Sequence, residues 1–86
     1  MEIVIGDLLT VEGKQYITLE KLTHEGNEYL FVNKVINEEE VSNEFYIFKV
    51  VEDGIRIIVQ DNLKQELIPK FQELLKKDLD ELMQDN

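Results

Sequence analysis

The chain has no cysteine, no tryptophan, one proline, one histidine and four glycines in 86 residues. Each scarcity removes a class of chemistry. Without cysteine there is no disulfide framework and no thiolate nucleophile, and a lone histidine leaves a structural zinc site short of ligands. His24 sits beside a turn signal with no nucleophile in view, because the sole serine, Ser42, falls in a polar loop; it reads as a solvated turn residue. Arginine occurs once, at Arg56, which reads as an ion-pair partner for a neighbouring carboxylate. Nine bases against nineteen acids give a formal charge of −10. Phosphate binding needs clustered Lys and Arg, so nucleic acid is excluded as a direct ligand and anionic membrane surfaces are disfavoured. Long apolar runs are missing too. Met1 to Asp7 lacks the basic region and apolar core of a signal peptide, and the expected setting is the cytoplasm. No glycine-rich phosphate loop, Walker pattern or nucleophile elbow is present. The expectation is a non-enzymatic protein with no catalytic, cofactor-binding or metal residues.

What the chain does have is a C-terminal stripe. Leu63, Leu67, Ile68, Phe71, Leu74, Leu75, Leu79, Leu82 and Met83 recur at helical spacing, with Lys and Glu between them. This predicts a helix over 61–83, with Asp61 or Asn62 as its cap and 84–86 as a frayed tail. Pro69 removes a donor two turns in and predicts a bend there.

Upstream, residues 1–60 read as a five-stranded antiparallel meander. Ile3–Ile5 and Leu8–Val11 flank a Gly6-Asp7 bend. Gln15–Thr23, Glu28–Ile36, Glu44–Val51 and Ile55–Gln60 follow, separated by Glu12-Gly13-Lys14, His24–Asn27, an acidic loop Asn37–Asn43 and Asp53-Gly54. Asp53-Gly54 is the expected type I′ turn. The whole is one α+β domain, 1–86.

The strands carry an oddity. A sheet with one wet face should alternate apolar and polar residues. Here Tyr29, Phe31 and Val35 oppose Leu30, Val32 and Ile36, and Phe45, Ile47 and Val51 oppose Tyr46, Phe48 and Val50. Ile17 and Leu19 are expected on one face of the second strand, Tyr16 and Leu22 on the other. One helix covers one face only. The second is hidden by curling, by a second copy or by a partner, since each wet side chain forgoes roughly 1.5–3 kcal/mol. Curling into an SH3-like half-barrel costs least. Tyr16, Tyr29, Tyr46, Phe31, Phe45 and Phe48 lack interleaved bases and read as core rather than as a nucleic-acid surface.

Ile5-Gly6-Asp7-Leu8-Leu9-Thr10, Gly13-Lys14-Gln15-Tyr16 and Gly26-Asn27-Glu28-Tyr29-Leu30-Phe31 resemble the start of uncharacterised short acidic proteins of Gram-positive bacteria and their phages. The resemblance spans about the first forty residues. It implies a bacterial or phage cytosolic setting and brings no activity or site residues.

Function then rests on charge and spare apolar surface. Glu38-Glu39-Glu40 and Asp78/Asp80/Glu81 lack the spacing of a calcium loop and read as solvated. A protein-binding module or regulator with a basic protein partner is the first expectation. Its sharper form is a phage or mobile-element inhibitor that mimics DNA, with Glu25, Glu28, Glu38, Glu39, Glu40, Glu44, Glu52 and Asp53 along one edge. The alternative is a homo-oligomeric structural domain. Monomer and homodimer both stay open.

Overall fold

The computed structural model describes residues 2–84, with side chains as far as Glu81. Five strands pair antiparallel in chain order: β1 (Leu8–Val11), β2 (Lys14–His24), β3 (Asn27–Val35), β4 (Val41–Val51) and β5 (Gly54–Ile57). One helix follows, α1 (Asp61–Gln84). The fold is α+β, a curled half-barrel of antiparallel strands with a C-terminal helix.

Turn chemistry fixes the registers. Glu12-Gly13 (φ 52°, 77°) and Glu25-Gly26 (φ 50°, 79°) are left-handed at both positions, the signature of type I′ hairpins. Asp53-Gly54 is not such a turn. The β4–β5 reversal uses Glu52 and Asp53, neither left-handed, and Gly54 opens β5 at φ 150°. β4 starts at Val41, three residues earlier than the polar sequence suggests, because Ser42 and Asn33 supply the hydrogen bonds that hold it against β3.

Both sheet faces are apolar, as the alternation requires. The inner face buries Ile3, Tyr16, Leu30, Val32 and Phe48, with Tyr46, Val50, Ile55 and Ile57 packed against them. Tyr16 meets Phe48 edge-on at 4.9 Å between centroids, a favoured aromatic arrangement. Curling lets β1 and β5 cover this face from either side without a second layer. The outer face carries Tyr29 and Ile47, packed beneath Leu67 and Phe71 of α1, with Leu22, Phe31, Ile58, Leu63 and Leu74 around them.

One expectation for β2 fails, and the reason is local. The register steps from Thr18↔Val32 to Glu20↔Phe31, which makes Leu19 an extra residue in a β-bulge. Side chains on either side of a bulge swap faces. Tyr16 therefore lies in the inner core and Leu22 in the outer one. The bulge also carries Glu20 onto the face beneath the helix.

The helix is continuous through Pro69. Gln65, whose carbonyl loses its donor, and Pro69 itself are both exposed, so water can satisfy the freed oxygen. The first intrahelical bond runs from Lys64 N to Gln60 O at 3.1 Å. Gln60 is thus the cap, and Asp61 places its charge in the first turn, where the helix dipole favours it. Gln84, expected in the tail, is helical, and Asp85 and Asn86 lie outside the described residues.

Candidate functional site: the uncovered half of the outer face

Helix α1 roofs only part of the outer face. The pairings Leu8↔Ile17, Ile17↔Asn33 and Asn33↔Phe45 put four side chains in one line across four strands. Val35↔Val41 lies beside that line, towards the β3–β4 connection. Among the described residues nothing covers this end. Leu8 is 61%, Val41 56% and Phe45 51% exposed. Leu8, Ile17, Val35 and Val41 floor a shallow depression of about 510 Å³ whose rim includes Glu38, Glu39 and Glu40. An oily floor with an acidic rim is the most distinctive surface of the molecule.

The rim is a shaped loop. Asn37 Oδ1 accepts hydrogen bonds from Glu39 N (2.9 Å) and Glu40 N (3.0 Å), an Asx-type turn. Ile36 N and Asn37 N both donate to Glu40 O. The glutamates themselves are exposed.

Beneath the floor, Asn33 is 5% exposed, and its amide donates to Ser42 O (2.8 Å) and Glu44 O (3.0 Å). Ser42 Oγ donates to Lys34 O at 2.8 Å and accepts from Glu44 N at 3.0 Å. These bonds satisfy backbone groups at the register shift between Asn33 and Val35. Tyr46 donates to Glu44 Oε1 at 3.2 Å, and burial followed by the Glu44 charge raises its phenol above the ordinary value.

The eight acids expected along one edge divide between two ends. Successive reversals of a meander fall at opposite ends of the sheet. Glu25, Glu28, Glu52 and Asp53 lie at the end formed by the β2–β3 and β4–β5 turns. Glu38, Glu39, Glu40 and Glu44 lie at the other, beyond the nine residues of β3, roughly 30 Å away. A continuous carboxylate ridge, as mimicry of a phosphate backbone requires, is not formed. Glu44 sits 3.7 Å from Lys34.

Two side chains depart from expectation individually. His24 is not a solvated turn residue: its side chain is 14% exposed, with Nε2 at 3.2 Å from Glu66 of α1 and 3.8 Å from Glu25. It places the end of β2 beside the first turns of the helix. Arg56 faces Lys49 across the β4–β5 pair, and none of the ion pairs among the described residues includes it.

A second unusual group lies under the helix. Glu20 is 4% exposed and faces Asp78. Burial, then the hydrogen bond to Asp78 and its charge, push the Glu20 carboxyl up to about 7. A carboxyl whose environment is apolar on one side and acidic on the other holds its proton.

Sequence reasoning found the second apolar face, and Val35 and Phe45 on it, but not which half stays bare. Among the described residues no helix is long and apolar enough to cross a membrane, and no three His, Cys, Asp or Glu converge as metal ligands. Comparison of the chain with protein-family models, curated proteins and solved structures returns no match, so the site is read from its own geometry.

Proposed function

We propose that this chain is a non-enzymatic, acidic protein-binding module whose docking surface is the uncovered half of the outer face. The observation that carries the reading is the pairing of an apolar floor, half-buried Ile17 and Val35 with exposed Leu8 and Val41 and Phe45 beside them, with the rim Glu38-Glu39-Glu40. The floor supplies contact area and the rim selects by charge. The occupant is a basic segment of a partner protein with apolar side chains between its charges. A second copy fits less well, because it would bring two rims and two −10 chains together. A role as inhibitor of a nucleic-acid-handling protein remains compatible with a basic partner, through this one end rather than through a ridge.

The test is a titration of ¹⁵N-labelled protein with a peptide of alternating Lys and Leu at low and high salt. Shifts confined to Leu8, Ile17, Val35, Val41, Phe45 and residues 37–40, weakening with salt, support the reading. Shifts spread evenly over both acidic ends contradict it.

A further inference from the structure

The stripe that seats α1 on the sheet has a flaw. Leu67, Phe71 and Leu74 face the sheet, and seven residues after Phe71, two turns on and on the same side, stands Asp78 rather than a hydrophobe. The sheet answers with Glu20, which reaches this face only because Leu19 bulges. The buried Glu20 carboxyl faces the exposed Asp78 where two apolar side chains are expected.

No cation offsets them. From β3 the residue opposite Glu20 is Phe31, which is uncharged. Lys21, the neighbour of Glu20, is turned to the other face and donates from Nζ to Ile3 O at 3.0 Å. Lys70 and Lys77 of α1 line the Leu22–Thr23 side together with Glu73. On the N-terminal segment, the Asp7 carboxylate accepts from Val4 N. Neither Glu20 nor Asp78 takes part in an ion pair among the described residues.

We propose that Glu20 and Asp78 form a protonation latch that holds the second half of α1 on the sheet when they share a proton and releases it when both are ionised. Protonated, Glu20 donates to Asp78 and joins helix to sheet. Ionised, the same group is a buried charge beside a like charge, and lifting the helix end lets water reach it. The first half stays, held by the buried Leu67 and Phe71. Because the docked state raises the Glu20 carboxyl from 4.5 to about 7, docking is fully favoured below 4.5, weakens as pH rises to about 7 and is flat above. That difference caps the change in the docking equilibrium at about 300-fold, and the exposed Asp78, which can turn to water, reduces it to roughly 30-fold. The latch is independent of the docking surface proposed above and is tested without a partner.

The experiment is amide hydrogen exchange, corrected for intrinsic rates, at pH 5 and pH 8. It compares residues 75–80 with Val32 in the sheet. Protection at 75–80 falls by roughly tenfold and stays below that of Val32, Glu20→Gln flattens the fall, and Asp78→Asn moves its midpoint to lower pH. Equal protection at both pH values overturns the latch. So does protection at 75–80 equal to that of Val32, which marks global rather than local opening, a fall that survives in Glu20→Gln, or a midpoint that Asp78→Asn leaves in place.

Discussion

Phe45 stacks on Phe31 with ring centroids 5.5 Å apart and planes 6° from parallel. Phe31 is in turn stacked at 5.5 Å by Phe71 of α1. The three rings mark the border of the helical roof: Phe71 is 1% exposed, Phe45 51%.

That border sets unequal costs for similar deletions. Phe71→Ala empties a closed core and should cost about 3–5 kcal/mol, a large share of a small domain's stability. Phe45→Ala should cost about 1 kcal/mol, chiefly the stacking on Phe31. Urea denaturation of the two variants measures the difference.

The Glu20 carboxyl gives stability a pH slope. Its folded value is raised above 4.5, so the protonated form is the one the fold prefers, and stability present below 4.5 is lost as pH rises to about 7. Glu20→Gln removes the slope. At pH 8 the variant should be more stable than the parent by about 2 kcal/mol, less than the full shift because the exposed Asp78 can turn to water. At pH 4 the two should match in thermal unfolding.

Much of this architecture is legible in residue order. The paired alternations of β3 and β4 require two cores, the stripe from Leu63 to Leu74 requires a lid, and five short strands favour curling over association. What was not legible is local. Nothing in Thr18-Leu19-Glu20 marks a bulge, and alternation alone keeps Tyr16 and Leu22 on one face. Asp-Gly at 53–54 carries the stronger turn signal, yet the left-handed pairs are Glu12-Gly13 and Glu25-Gly26, because the turn type follows the strand register. The split of the acids between two ends follows from counting reversals. A list of acidic residues does not contain that count.

Glu12 illustrates the point. At φ 52° with open surroundings it occupies a conformation that Asn tolerates better. Glu12→Asn should raise stability by about 0.5–1 kcal/mol, read as a shift of the urea midpoint with an unchanged slope.

Asn33 holds the base of the docking surface by donating to two carbonyls. Asn33→Asp replaces the donor with a buried acceptor facing Ser42 O and Glu44 O. It should cost about 3 kcal/mol, more than Asn33→Ala, and should shift the amide resonances of Ser42 and Glu44.

The most direct test of the account compares the wild type with the double variant Val41→Ser/Phe45→Ser in binding the alternating Lys–Leu peptide at low salt, after circular dichroism has shown the same fold. The floor is held to supply the contact area, so the variant should bind at least about tenfold more weakly, a loss of about 1.4 kcal/mol, although every rim carboxylate is intact. Equal affinity in the two proteins would mean that acidity alone attracts the peptide and that the bare end of the sheet is not a binding site.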